Sequence, residues 1–279
     1  MDISPLTKIV GVIGHPIGHS LSPRLHNNFY KKLKLDIAYL AFDVKPAELE
    51  KAVRGMAALG FIGFNVTIPH KESMLNLVDE VEPGAQLVGA INTVKIADGK
   101  LIGHNTDGQG FMESLKRNDV NIRDRHIVVL GAGGAARAVS IAVAADGPKR
   151  MTIVNRTFER GRHLAFSIND KIGKRLAKAA SEIPRDADII INTTSLGMWP
   201  DVHASPITGY SLRADTVVCD IVYNPRKTLM LKQAEAMGCK TVDGIGMLIG
   251  QALRSIEIWT DTKLDSGAWN TMQEEIEHI

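Results

Sequence analysis

The sequence predicts an α/β protein of two units. Apolar runs of strand length alternate with helix-spaced segments along most of the chain. A small-residue turn, Gly131 to Ala136, stands between one such run and one such helix. The 279 residues amount to about two domains at roughly 150 residues each.

Taken in order, Ile9 to Ile13 is a short apolar run of strand length. Ser22 and Pro23 read as an N-cap and a first helical residue, followed by Leu25, Phe29 and Leu33 at helical spacing. Ala38 to Val44 reads as the next strand. Pro46 opens a helix that Gly60 stops, Gly63 to Ile68 is a third strand ended by Pro69, and Lys71 to Val78 reads as helical. Asp98-Gly99 is a hairpin turn between Ala90 to Ile96 and Lys100 to His104. Beyond Gly108 come a helix (Phe111 to Arg117), a strand (His126 to Leu130), a helix from Ala135, a strand (Met151 to Val154) and a helix (Arg162 to Ile172). Asp188 to Asn192, Val217 to Asp220 and Lys240 to Val242 are further strands, with a helix at Leu229 to Met237. Met247 to Thr260 is helical with a polar tail after it. Strands alternating with helices predict a parallel sheet covered on both faces. The boundaries give residues 1–107, completed by 245–279, as one domain and 108–244 as the other.

Composition excludes several classes. With 33 Lys and Arg against 31 Asp and Glu, the net charge is +2, too small for a general grip on nucleic acid or an anionic membrane. Cys219 and Cys239 form no CxxC pair, which suits a reducing compartment without a disulfide framework. The first residues lack the basic flank and apolar stretch of a secretory signal, so the expected location is cytoplasmic. Ile127 to Ala145 is apolar, yet Gly131, Gly133, Gly134 and Arg137 interrupt it, which argues against a membrane span. His15, His19 and His26 are loosely spaced and there is no HExxH, so no metal site is expected.

Gly131-Ala132-Gly133-Gly134-Ala135-Ala136 fits G-x-G-x-x-A between a strand and a helix. Small residues let the backbone approach a pyrophosphate, and the helix N-terminus offers free N–H groups. The second strand ends in Asn155-Arg156-Thr157, with Arg160 one turn on, where NAD-binding units place an acidic residue. A guanidinium there suits a 2′-phosphate and favours NADP. In the first domain, Ser20 and Ser22 precede a helix, a place for a small carboxylate. Lys71 at the start of its expected helix opposes the helix dipole, which marks it as unusual. Asn65, Thr67, Asn92 and Asp107 sit at element ends.

Together these motifs resemble the shikimate dehydrogenase family over nearly the whole chain. The matching blocks are Gly14 to Pro23, Asn65 to Glu72, Gly89 to Thr93, Asn105 to Gly108, Gly131 to Ala135, Asn155 to Thr157, and Asp243 to Leu248 through Gln251. The resemblance implies a Rossmann-type NADP-binding domain, an α/β substrate-binding domain and a cleft between them. It implies reversible reduction of 3-dehydroshikimate to shikimate by NADPH, a step of the shikimate pathway to chorismate and the aromatic amino acids. Carried over by position, Lys71 and Asp107 are the catalytic pair. Ser20, Ser22 and Tyr223 hold the substrate carboxylate. Thr67, Asn92, Asp107 and Gln251 bond the ring hydroxyls, with Asn65 nearby. Gly131, Ala132, Gly133, Gly134 and Ala135 cradle the pyrophosphate; Asn155, Arg156, Thr157 and Arg160 surround the 2′-phosphate; Ile221, Gly244 and Met247 face the nicotinamide. No metal, nucleic acid or membrane partner is implied, and a homodimer is compatible with the reading.

His104 stands where many members have Asp, and Ile221 where some have Met. Glu159 keeps open the family's NAD-using branch that accepts quinate. A non-catalytic, ligand-sensing relative is the other alternative; the presence of both Lys71 and Asp107 speaks against it.

Overall fold

The strand-length apolar runs form two six-stranded sheets, one in each of two compact units. The structure, a computed structural model, describes residues 3–18 and 20–277. His19 lies outside the described residues. One unit comprises Met1–Thr106 with Ile249–Ile279, the other Asp107–Leu248.

The first unit runs β1 (Lys8–Gly14), α1 (Ser22–Lys32), β2 (Ile37–Asp43), α2 (Leu49–Ala58), β3 (Gly63–Val66), β4 (Glu80–Val81), α3 (Pro83–Val88), β5 (Thr93–Ala97) and β6 (Lys100–His104). Its sheet has the order β2-β1-β3-β5-β6-β4. β1 pairs in parallel with β2 and β3, whereas β5 is antiparallel to β3 and β6. The sheet is therefore mixed, because a two-residue turn can only join antiparallel strands. Asp98 and Gly99 make that turn, both at positive φ (51° and 75°). Val53, Phe64, Ile91 and Val94 are buried in the core beside it. β2 is an edge strand, and the Asn27 amide bonds both the N–H and the C=O of Tyr39, each at 2.8 Å.

The second unit runs α4 (Asp107–Arg117), β7 (His126–Leu130), α5 (Gly134–Ala145), β8 (Arg150–Val154), α6 (Phe158–Ile172), β9 (Ala177–Ala180), β10 (Ile189–Asn192), β11 (Val217–Asp220), α7 (Leu229–Ala236) and β12 (Lys240–Val242). The order β12-β11-β10-β7-β8-β9 is parallel throughout. The chain winds out from β7 to β9, returns beside β7 as β10, then winds the other way. That reversal is the switch point at which doubly wound sheets bind ligands. The inner strands are buried on both faces, so they read as continuous apolar runs.

Helices α8 (Ile245–Thr260) and α9 (Ala268–Glu277) close the chain. The unit boundaries fall at 106/107 and 248/249, one residue before and four after those read from the sequence. Packing explains the second shift: Gly246 abuts Ser114 of α4, which ties the first turn of α8 to the second unit.

Three local readings need correction. Ser22 is not the N-cap; Leu21 is, already in the helical region, and no side chain caps α1. Lys71 to Val78 is not a regular helix but holds a single 3-10 turn at Ser73–Asn76. Its apolar residues Met74, Leu75, Leu77 and Val78 all pack on the core, more sides than one helix stripe can serve. The dipole argument for Lys71 lapses with that helix. The polar tail is instead α9, which buries Trp269, Met272 and Ile276 and packs against α1. No helix among the described residues is long and apolar enough to cross a membrane.

Candidate active site

In the first unit, register brings the polar residues to one end of the sheet. β1 and β3 run in parallel with Ile13 opposite Val66, so the loop with Ser20 and the segment Thr67 to Lys71 leave neighbouring strands at the same end. Gly14 lacks a side chain where the Thr67 methyl lies against it. β5 runs back along β3, placing Asn92 beside the end of β3, and β6 returns to that end at His104. Ser20 Oγ accepts from the Ser22 N–H at 3.3 Å. The Lys71 carbonyl accepts from Ile91 N–H at 2.8 Å, which fixes the backbone of the lysine. Thr67, Lys71, Ser20, Ser22 and Gln251 are half-buried.

Behind this end lies a buried hydrogen-bond network. Asn65 Nδ2 donates to Ser255 Oγ (3.0 Å), Thr93 Oγ1 (3.0 Å) and the Asn92 carbonyl (3.2 Å), while its Oδ1 accepts from Tyr39 Oη at 2.7 Å. Asn92 Nδ2 donates to Thr106 Oγ1 at 2.9 Å, and its Oδ1 accepts from Thr106 N–H at 2.8 Å. Ser255 Oγ also donates to the Gln251 carbonyl at 2.9 Å. The network thus joins β2, β3, β5, the β6 exit and α8. Tyr39 stacks on His26 at 4.1 Å, whose pKa burial pushes down to about 3, so this ring stays neutral at ordinary pH. Tyr39→Phe leaves the buried Asn65 Oδ1 without its donor. The expected cost is about 1–3 kcal/mol of stability, read as a lower urea midpoint at unchanged m-value.

In the second unit, four strands end at the same edge. After β7, Gly131 turns at φ 112°, and a Cβ there would come within 2.7 Å of Thr193 Oγ1. Only glycine fits this turn. Ala132 is buried, Gly133 is the N-cap of α5, and Gly134 and Ala135 open that helix, which puts free N–H groups at the turn. After β8, Asn155 Nδ2 donates to the Thr157 carbonyl at 2.8 Å, and Thr157 is the N-cap of α6. Arg156 and Arg160 are exposed, and among the described residues neither forms an ion pair. Glu159 is held by Arg162 at 2.7 Å, and the hydrogen bond from that guanidinium pulls its carboxyl below the usual range. Past β11, the Ile221 N–H donates to the Asn192 carbonyl at 3.1 Å. Gly244 packs on the carbonyls of Ile221 and Val222, where a Cβ would stand 2.5–2.6 Å away, and Met247 is buried after it. Tyr223 is half-buried in the same loop. Asp107, the first residue of α4, is buried.

Residues 12–94 match the family described as the shikimate dehydrogenase substrate binding domain, and residues 113–244 match shikimate / quinate 5-dehydrogenase. The chain belongs to the shikimate dehydrogenase family. It is 44% identical over 275 residues to an NADP(+) shikimate dehydrogenase of Alkaliphilus oremlandii, covering 94% of each chain. A solved shikimate dehydrogenase in complex with NADP+ superposes with a TM-score of 0.92 at 42% identity, over 99% of this chain and 97% of that one. The Thermus thermophilus enzyme in complex with NADP(H) and shikimate gives 0.81 at 34% identity, over 96% and 99%.

Against that family background, three residues of this shikimate dehydrogenase relative were missed or left without a role by sequence reasoning. Tyr39 and Ser255 look like ordinary strand and helix residues; only the fold brings them to Asn65. Asp220 reads as a strand end, yet it is 2% exposed and accepts three hydrogen bonds. Of the two departures from the family pattern, His104 is half-buried, and burial holds its pKa below the ordinary value against the opposing pull of Glu82. Its carbonyl accepts from the Asn92 N–H at 3.1 Å. His104 therefore touches the network through its backbone, which Asp would also supply.

Proposed function

We propose that this protein catalyses the reversible reduction of 3-dehydroshikimate to shikimate with NADP as cofactor. What carries the reading is the joint retention, in a chain of this family, of Lys71, Asp107 and a phosphate-type turn whose neighbouring strand ends in Asn155-Arg156-Thr157. The glycine turn fits a pyrophosphate because it leads into the N-terminus of α5, whose first N–H groups have no partner within the helix. The guanidinium groups of Arg156 and Arg160, which form no ion pair among the described residues, fit a 2′-phosphate, and Glu159 is engaged by Arg162.

When bound, NADPH supplies the hydride for the ring ketone. As that carbon is reduced, charge develops on the carbonyl oxygen. The Lys71 ammonium stabilises it, and Lys71 and Asp107 are the two groups assigned to the passage of the proton. In the reverse direction the same pair takes up the hydroxyl proton. Ser20, Ser22 and Tyr223 hold the substrate carboxylate, which fixes the ring. Thr67, Asn92 and Gln251 bond its hydroxyls, and Asn65 holds Asn92 and Thr93 in place from behind.

The deciding experiment is cofactor reduction with shikimate and with quinate, each against NADP and NAD. The expected order puts shikimate with NADP first. Faster turnover with NAD overturns the cofactor assignment, and faster turnover of quinate overturns the substrate. No turnover with any pair points to a ligand-sensing relative.

A further inference from the structure

Asp220 is a buried carboxylate at the open edge of the second sheet. Its Oδ1 accepts from Asn192 Nδ2 at 2.9 Å and from the Val222 N–H at 3.0 Å; its Oδ2 accepts from Thr228 Oγ1 at 2.7 Å. Each donor comes from a different place. Asn192 ends β10, and its own Oδ1 accepts from Thr194 N–H at 3.0 Å and Thr194 Oγ1 at 2.7 Å, which fixes the loop after β10. Val222 lies in the loop after β11. Thr228 is the N-cap of α7 and accepts from the Leu231 N–H. One side chain therefore pins both ends of segment 221–228 and ties it to the neighbouring loop.

We infer that Asp220 is a positioning residue for the reaction: its carboxylate sets the backbone from which Ile221 and Tyr223 project. The inference rests on the proposed roles of those two residues at the nicotinamide and the substrate carboxylate. The chemistry favours an ionised acceptor here. Each of the three hydrogen bonds is stronger to a carboxylate than to a neutral carboxyl, so together they favour the charged form.

The cations on the neighbouring segments have partners elsewhere. Lys240 on β12 donates to the Asn118 carbonyl, Lys227 pairs with Glu235 of α7, and Arg226 pairs with Asp243. The adjacent Cys219 is buried and pushed up to about 12, so it stays a thiol. Burial accordingly pushes the Asp220 carboxyl up to about 6, against the pull of its three hydrogen bonds. The carboxylate that holds the loop is thus titrated just below neutral pH.

The test is the KM for shikimate with NADP as a function of pH, together with NADPH affinity from nicotinamide fluorescence. In the wild type, KM rises several-fold as pH falls through about 6. Asp220→Asn removes that inflection and carries a raised KM at all pH values. Thr228→Val keeps the carboxylate but deletes one donor to its charged form, so the inflection moves upward; this variant carries the test should Asp220→Asn not fold. Thr228→Ser restores the wild-type inflection. An unchanged inflection in Asp220→Asn, or one that stays at the wild-type pH in Thr228→Val, overturns the inference. Failure of the functional reading looks different: the wild type then turns over no shikimate at all.

Discussion

Lys71→Ala is expected to lose kcat by about 10²- to 10⁴-fold, the range for removing one positioned proton donor, while the KM for shikimate changes little. The split follows from what the side chain does. In the proposed mechanism, binding of the substrate carboxylate falls to Ser20, Ser22 and Tyr223, and of the ring hydroxyls to Thr67, Asn92 and Gln251. The ammonium matters most when charge appears on the reacting oxygen, so its loss falls on the transition state. The Lys71 backbone is anchored by the bond from Ile91 N–H, which the variant keeps. The local fold therefore survives, and circular dichroism and urea midpoint should be unchanged. Steady-state kinetics with a near-normal kcat would remove Lys71 from the chemistry.

Arg156→Ala combined with Arg160→Ala is expected to raise the KM for NADP by about tenfold to a hundredfold, the scale of losing charge-assisted bonds to a phosphate. The KM for NAD, which lacks the 2′-phosphate, should hardly move. Both side chains are exposed, so added salt should weaken wild-type NADP binding and shrink the difference. Equal losses with both cofactors would show that the two residues do not contact the 2′-phosphate.

The second unit was the more legible. Buried parallel strands are nearly pure apolar runs, and a turn that demands glycine shows in the sequence as glycine. Its glycine turn, its second strand tip and the short strand Lys240–Val242 were all readable. The first unit was harder, because its sheet mixes directions. Lys71 to Val78 has helix-like spacing yet serves a core that surrounds it. Helix α9 hid its apolar stripe, Trp269, Met272 and Ile276, among polar residues. At the candidate site, the residues that a sequence can propose are those at strand ends with small-residue or turn neighbours. Tyr39, Ser255 and the acceptor role of Asp220 are not among them, because a hydrogen bond between distant segments leaves no local trace. Asn65 shows the limit from the other side: the amide was visible, but not that its contacts face inward to Tyr39, Thr93 and Ser255.

The bonds from Asn27 to Tyr39 have a consequence away from catalysis. β2 offers seven residues at a sheet edge, and its only charge is Asp43. Such an edge is a template on which a second chain can add a strand and begin to aggregate. By offering an amide N–H and C=O to Tyr39, the Asn27 side chain acts as a one-residue strand and occupies the middle of that template. The first sheet thus carries its own stopper against edge-to-edge growth, supplied by the helix packed beside it.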